Sequence, residues 1–213
     1  TNLFLWCGGN ITDVQGNTAI TIATLDLSAG GTIGSSSEDF HIAGATNLSA
    51  HTSTNNTDIY LHGGTSLPDF VMDAGTGNIS LTVTGALDNT AGATNITAAN
   101  ATLTAGSIGH SDDVLTSVDN LTVTTTDAIG DYISNDRSLS ALNINVGNGV
   151  LVLSVDGSIT DSDASFDITA GSLNLSAMSG IGTETHPIGL SGVTSLQVYN
   201  NTEEGGIYFT DTV

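Results

Sequence analysis

The stretch GVLVLSVDGSITDSDASFDITAGSLNLSAMSGIG (149–182) decides the fold, because residues 1–34 match it along their whole length without a gap. In this alignment Leu3 falls on Leu151 and Gly34 falls on Gly182. Self-similarity at a fixed spacing is the signature of repeat architectures, in which each unit buries its apolar face against its neighbours. The chain is therefore expected to be a repeat protein.

A middle copy lies about halfway between these two segments. The stretch FVMDAGTGNISLTVTG (70–85) falls on LNINVGNGVLVLSVDG (142–157), with apolar positions on apolar positions. Phe70 thereby aligns with Leu142, which is close to half the shift that carries Leu3 onto Leu151. We infer a repeat unit of about 74 residues.

The repeat divides the chain into two whole units and two partial ones. The partial unit 1–30 is followed by units 31–105 and 106–179 and by the partial unit 180–213. Repeat units that stack on one another form one continuous body, so we expect a single solenoid segment over 1–213. Since the chain starts and stops within a unit, we expect it to be a window of a longer repetitive polypeptide.

Composition and periodicity predict short strands and no long helix. Apolar and polar residues alternate in runs such as NISLTVTG (78–85) and GVLVLSVDG (149–157), and 26 Gly separate such runs. Alternation with a period of two indicates strands with one buried face. We predict an all-β parallel β-helix with coils of about 18–25 residues, three or four to a unit, and a length of about 50 Å.

Three near-identical glycine motifs are predicted to form corners of the coil. They are GTIG (31–34), GSIG (106–109) and SGIG (179–182). Glycine reaches the positive φ angles that sharp bends require, so each isoleucine of these motifs should point into the core. We expect Ile33, Ile108 and Ile181 to occupy the same corner in successive units.

The alignment also predicts which side chains stack inside the solenoid. Leu27, Leu103 and Leu175 should form one inward column, because they are aligned apolar positions of successive units. By the same argument Ile11, Leu87 and Ile159 should form a second column. Cys7 aligns with the apolar Val155 and is expected to be a core thiol, whereas its neighbour Trp6 should face outward.

The charge balance excludes two classes of partner. The chain has 22 acidic residues, Arg137 as its one Lys or Arg, and a net charge of −21. Nucleic acids and anionic membranes both require a basic surface, so neither is an expected partner. The acidity fits either a solvated surface or Ca²⁺ binding, for which the stretches 36–40, 111–113 and 160–165 group oxygen ligands. Known calcium-loop motifs do not occur, and no metal or cofactor residue is assigned.

The sequence does not assemble a catalytic constellation. Paired carboxylates could serve a glycosidase, but Asp112 with Asp113, and Asp161 with Asp163, all lie in predicted turns. Arg137 alone is a poor basis for a lyase site. The five histidines, which are scattered without metal-ligand spacing, are expected to be exposed strand or turn residues. They are His41, His51, His62, His110 and His186. We therefore expect no catalytic residue and no enzyme.

Nine Asn-x-Ser/Thr sequons are spread along the chain. They begin at Asn10, Asn47, Asn55, Asn78, Asn95, Asn100, Asn120, Asn174 and Asn200. In six of them the middle residue is Ile or Leu, so strand alternation should direct that residue inward and the asparagine toward water. Composition alone explains such a pattern, and glycosylation is an open alternative.

The segment MSGIGTETHPIGLSGVTSLQVYNNTEEGGIYFTDTV (178–213) resembles the recurrent segment of giant bacterial surface proteins of the filamentous-haemagglutinin type. The likeness lies in the Gly180–Gly182 corner, the Pro187-Ile188 pair, the strand Ser195–Tyr199 and the strand Gly205–Phe209. The resemblance implies a right-handed parallel β-helix that is secreted and displayed on a cell surface.

Two classes of function follow from these features. The first is a structural and adhesive extracellular rod or filament, whose partners are further copies of itself, end to end or side by side, or glycans and other ligands on a cell surface. The second is a carbohydrate-binding or carbohydrate-cleaving β-helix with a groove on one face. An active groove would need one unit that gathers carboxylates or aromatic residues, and the ten aromatic residues are instead spread along the chain. The rod is the expected function.

Overall fold

A computed structural model describes residues 2–13, 20–52, 54–162, 167–202 and 205–212 of the chain. These residues form 22 short strands and contain no helix. The strands are β1 (Asn2–Cys7), β2 (Ile20–Thr21), β3 (Thr24–Ala29), β4 (Phe40–Ala43), β5 (Asn47–His51), β6 (Ile59–Gly63), β7 (Phe70–Asp73), β8 (Asn78–Val83), β9 (Ala86–Leu87), β10 (Ile96–Thr97), β11 (Asn100–Ala105), β12 (Ser107–Ile108), β13 (Val114–Ser117), β14 (Asn120–Thr125), β15 (Asp131–Asn135), β16 (Ala141–Asn145), β17 (Val150–Val155), β18 (Ile168–Thr169), β19 (Ser172–Ala177), β20 (Ile188–Ser191), β21 (Ser195–Asn200) and β22 (Phe209–Thr212).

The strands stack into a parallel β-solenoid of about nine turns with about 22 residues per turn. The first sheet has the order β1-β3-β5-β7-β10-β13-β15-β17-β19-β21, and the second has the order β2-β4-β6-β8-β11-β14-β16-β18-β20-β22. The short strands β9 and β12 pair with each other at one edge of the coil. The prediction of an all-β parallel solenoid is confirmed, and the observed turn lies within the predicted coil length.

Alternation along each strand builds the core. In β14, Leu121 and Val123 are buried between the sheets, while Asn120, Thr122 and Thr124 face outward. The same pattern recurs from strand to strand, so the buried side chains form one continuous apolar core. In a solenoid each turn is stabilised mainly by its two neighbours, because its apolar side chains stack on equivalent side chains above and below.

The two matching ends of the sequence lie in the same sheet. Strand β1 and its counterpart β17 are separated by seven steps in the order of the first sheet. The shorter shift, which places Phe70 on Leu142, instead carries β7, in the first sheet, onto β16, in the second. A shift of half the longer distance thus moves a residue to the opposite sheet.

This change of sheet corrects the first predicted column. Leu27, Leu103 and Leu175 are all fully buried, as predicted, but Leu103 belongs to β11 in the second sheet while the other two belong to the first. Leu27 also does not stack in line with Leu175. Its successive strand partners lead from one turn to the next and end at Ala177. The single column was wrong because a shift that matches apolar positions in the sequence does not by itself keep a residue in the same sheet or on the same ladder of strand partners.

The corner positions need the same correction. Ile11 and Ile159 lie in connections that lead from the first sheet to the second, whereas Leu87 lies in a connection that leads back. Ile108 pairs with Leu87 on that return side, while Ile181 pairs with Ile159 on the other. The second column and the single shared corner were therefore wrong, although the corner isoleucines Ile33, Ile108 and Ile181 are fully buried as predicted.

The last glycine of each corner motif has the predicted positive φ angle, whereas Gly31 and Gly106, which begin two of the motifs, do not. Gly34, Gly109 and Gly182 have φ angles of 67°, 67° and 65°. A Cβ atom at Gly109 would lie 2.1 Å from the carbonyl oxygen of Tyr132 on the next turn, which no real side chain tolerates. Both the backbone angle and the close approach of the next turn therefore require glycine at this corner.

Candidate functional site

The structure describes one of the two predicted carboxylate pairs in full. Asp112 and Asp113 are exposed in the turn before β13, and Asp113 Oδ2 accepts a hydrogen bond from Ser134 Oγ at 3.1 Å. Asp161 is buried in the connection after β17. Its predicted partner Asp163 lies outside the described residues.

The Arg137 side chain links two neighbouring turns through hydrogen bonds. Its Nη2 donates to the carbonyl oxygen of Ser117 at 2.6 Å and to Ser117 Oγ at 2.9 Å, and its Nη1 lies 3.1 Å from Asp119 Oδ1. Ser117 ends β13, whereas Arg137 follows β15 on the neighbouring turn. These contacts occupy the guanidinium with its own chain, which favours a structural role over substrate binding.

A shallow groove of about 280 Å³ lies on the outer face of the first sheet. Leu115, Ser134 and Ser154 line it from three successive strands. Asp136 and Asp156 lie on adjacent turns at its edge. Hydroxyl and carboxylate groups of this lining lie beside a similar amount of apolar surface, so the groove offers a ligand both hydrogen bonds and apolar contact.

Two histidines lie together across neighbouring turns. The rings of His41 and His62 stack with centroids 5.1 Å apart, and Asp13 Oδ2 lies 3.3 Å from His41 Nδ1. His51 instead contacts Ser49 within its own strand, with 2.7 Å between Nε2 and Oγ. The stacked pair was missed, although the spacing of His41 and His62 along the chain, close to one turn, is the signal that could have revealed it.

Metal ligands are not assembled in the part of the chain that the structure describes. There, no three His, Cys, Asp or Glu side chains form a group that could hold a metal ion. Within the same residues, no helix has the length and apolar character needed to cross a membrane.

Asp131 is a buried acid that sequence patterns did not reveal. It is 0% exposed, and its Oδ1 and Oδ2 accept hydrogen bonds from the Ile108 N–H at 2.7 Å and from Thr125 Oγ1 at 2.9 Å. Burial raises the pKa of Asp131 above its ordinary value, while these two hydrogen bonds act in the opposite direction. Nearby Asp127 adds to the rise, and nearby His110 opposes it.

The asparagines of the sequons have different environments. Asn95 is 0% exposed, and its side chain donates to the Phe70 carbonyl at 2.8 Å and accepts from the Leu115 N–H at 2.9 Å. The expectation that the asparagine faces water in sequons with a central Ile or Leu was therefore wrong at Asn95. Its side chain completes the hydrogen bonding of the neighbouring strands β7 and β13, so it serves the backbone.

Three other sequon asparagines form a ladder across the second sheet, where they are the first residues of β8, β11 and β14. Asn100 Nδ2 donates to Asn78 Oδ1 at 2.5 Å, and Asn120 Nδ2 donates to Asn100 Oδ1 at 2.6 Å. Asp58 Oδ1 anchors one end by accepting from the Asn78 backbone and side-chain N–H groups at 2.8 and 3.0 Å. The ladder aligns the strands that follow it.

Beside this ladder lies a regular array of hydroxyl and amide groups, which we call the threonine face. It consists of the outward residues of four successive strands of the second sheet, β8, β11, β14 and β16. They are Ser80 and Thr82, Thr102 and Thr104, Thr122 and Thr124, and Asn143 and Asn145. All eight are exposed or half-exposed, and none carries a charge.

The largest exposed aromatic side chains lie on the first strand. Trp6 is 81% exposed and Phe4 is 68% exposed, so the prediction that Trp6 faces outward is confirmed. Cys7 pairs with the buried Ala29 and faces inward, but it is only partly buried because β1 is the end strand of its sheet.

Comparison with protein-family models, with curated proteins and with solved structures gives no match. The function therefore has to follow from the chain's own surfaces.

Proposed function

We propose that this chain is a structural and adhesive rod, a shaft or filament segment that works outside the cell and is no enzyme. The observation that carries the proposal is the unbroken stack of ten parallel strands in each sheet over one continuous apolar core. Such an architecture supplies reach and stiffness, because every turn is held by its neighbours along the axis.

The dimensions of the stack fit this role. Nine steps between ten strands, at about 4.8 Å each, give a length of about 43 Å. Adding turns lengthens a solenoid without changing its cross-section. A rod of any length can therefore be built by repeating the same sequence pattern.

We further propose that each repeat unit makes three and a half right-handed turns. The seven steps that separate β1 from β17, two units further along the chain, support the half-integral count. Right-handed connections between parallel strands are strongly preferred in proteins, which supports the hand. With this unit, successive repeats present the same surface on opposite sides of the rod.

The proposed setting is a bacterial-type cell surface, where the chain resembles the filamentous-haemagglutinin-like surface proteins. The net charge of −21 supports a well-solvated rod and disfavours nucleic acids and anionic membranes as partners. Exposed Phe4 and Trp6 support contact with a protein or glycan, because aromatic side chains contribute strongly at interfaces.

A carbohydrate-binding or carbohydrate-cleaving protein is the alternative function. The groove beside Asp136 and Asp156 favours it, since hydroxyl and carboxylate groups hydrogen-bond sugars. However, sugar-binding grooves usually gain affinity from aromatic surfaces, and the exposed Trp6 and Phe4 lie on β1, five strands from β13 in the first sheet. The rod is the better-supported function.

The test is to measure self-association, binding and hydrolysis in the same preparation. Light scattering and binding to immobilised glycans or cells should show association, and incubation with soluble polysaccharides should release no new reducing ends. A strictly monomeric protein that cleaves a glycan, with activity lost in Asp112→Asn or Asp161→Asn, would contradict the proposal.

A further inference from the structure

The threonine face repeats regularly in two directions. Thr102 is paired with Thr122 and Thr104 with Thr124, and the same register continues without a slip to β8 on one side and β16 on the other. Neighbouring strands are about 4.8 Å apart, and alternate residues of one strand are about 6.6 Å apart. Hydroxyl and amide groups therefore stand on a small rectangular lattice.

This face is neutral on a strongly acidic molecule. The chain carries a net charge of −21, yet none of the eight residues of the threonine face is charged. The nearest carboxylate that lines a groove beside it is the buried Asp161, next to Thr122 and Asn143. Charged groups also hold their own hydration shells, which a neutral surface does not impose on a partner.

The face is also held rigid. Threonine is β-branched, so it has few χ1 rotamers and loses little freedom when it contacts a partner. The ladder of Asn78, Asn100 and Asn120 fixes the neighbouring column through side-chain hydrogen bonds of 2.5 and 2.6 Å. Such preorganisation lowers the entropic cost of binding a rigid surface.

A periodic, neutral and rigid array of hydroxyl groups fits a partner that is itself periodic and neutral. The spacing of about 4.8 Å between strands lies close to the shorter repeat between water oxygens on the prism face of hexagonal ice, whereas the spacing of about 6.6 Å along a strand is shorter than the longer repeat. Threonine adds a methyl group that limits the arrangements of nearby water, while its hydroxyl and the asparagine amides can hydrogen-bond water at lattice positions. We propose that the threonine face adsorbs to ice.

Other occupants fit the face less well. A crystalline polysaccharide would be expected to meet aromatic side chains, and the threonine face itself contains none, although Tyr60 borders it as the strand partner of Ser80. A second copy of the chain would bring another net charge of −21, and the face has no basic group to offset the repulsion. Ice carries no such charge. The inference goes beyond the rod function, and either can fail without the other.

The test measures ice growth directly. The wild-type protein is expected to open a gap between the melting and growth temperatures of a single ice crystal and to give the crystal facets. Thr122→Tyr, at the centre of the face, should lose most of this gap, because a bulky ring holds the array away from the ice. Thr122→Val should lose less, since it keeps the shape of threonine and removes one hydroxyl.

The matched control is Ser195→Tyr, which places the same ring at an exposed position on the outer face of the first sheet, away from the groove. It should keep the wild-type gap, and circular dichroism should show that all variants are folded. Wild-type protein that leaves ice growth unchanged would overturn the inference. So would a gap that survives Thr122→Tyr, or sedimentation with crystalline cellulose in place of ice shaping.

Discussion

At the scale of single residues, Asp131 takes the place of a backbone carbonyl. At the two related corners, the N–H groups of Ile33 and Ile181 bond to the carbonyls of Asp58 and Gly206 on the next turn. At the third corner, the N–H of Ile108 bonds to the Asp131 side chain. The carboxylate is therefore structural, and its burial raises its pKa.

Asp131→Asn should stabilise the protein at neutral pH. The raised native pKa means that the folded state keeps this proton to a higher pH than the unfolded state, so this group's contribution to stability falls as pH rises through that window. Asparagine stays neutral at every pH. Thermal unfolding should show a higher melting temperature for the variant at pH 7, with a difference that shrinks on acidification below the native pKa.

Asp112→Asn is the control, because it removes one negative charge from an exposed position. Its effect on the melting temperature reports only the loss of one negative charge from the protein surface. If Asp131→Asn and Asp112→Asn shift the melting temperature equally at every pH, Asp131 does not carry a buried charge.

The glycine corners allow a second test at this scale. Gly109 and Gly147 both have positive φ angles, 67° and 58°, but a Cβ at Gly147 would meet nothing within 4 Å. Gly147→Ala should therefore lower the free energy of unfolding by about 1–2 kcal/mol, which is the energy that a residue with a Cβ atom needs to adopt a left-handed backbone conformation. Gly109→Ala should cost clearly more in denaturant titration, because its Cβ collides with Tyr132. Equal losses would show that the turns are not packed this closely.

At the scale of strands, alternation decides which face each residue occupies. Leu103 and Thr102 are neighbours on β11, one fully buried and one exposed. Leu103→Ala should destabilise the protein by about 2–5 kcal/mol, because it removes buried apolar contacts and leaves a cavity. Thr102→Ala should change stability by no more than about 0.5 kcal/mol, as surface substitutions usually do. Urea unfolding of both variants checks this, and similar losses would contradict the assigned faces.

Strands and their faces could be predicted from sequence because period-two alternation is a local property of the chain. The sheet to which each strand belongs could not, because the length of a repeat unit does not reveal how many turns it makes. Leu103 was therefore placed in a column with Leu27, although it lies in the opposite sheet. The strand pairings of β11 with β8 and β14 place Leu103 in the second sheet.

Contacts across turns were also hidden in the sequence. Asn95 is buried next to the buried Ile96, so it breaks the alternation that made other positions readable. His41 and His62 become neighbours only through the strand pairing of β4 with β6. The threonine face likewise depends on register. Its residues are ordinary strand residues until four strands align them in two rows.

At the scale of the whole molecule, the protein carries strong repulsion between its 22 acidic side chains. A net charge of −21 opposes any compact state, and salt screens such repulsion over a Debye length of about 10 Å at 0.1 M. Added sodium chloride should therefore raise the melting temperature. A chelator at fixed ionic strength should leave it unchanged if the acidity serves solubility. A large drop on chelation would instead show that bound Ca²⁺ links carboxylates of the rod.

The chain forms an extended stack in which β3 and β19 lie seven turns apart. Spin labels at Ser28 and Ser176, in a Cys7→Ser background, would measure that separation by pulsed electron paramagnetic resonance. Seven strand spacings of about 4.8 Å predict one well-defined distance of about 34 Å between the labelled strands. A broad distribution, or a distance of only one or two strand spacings, would contradict the rod.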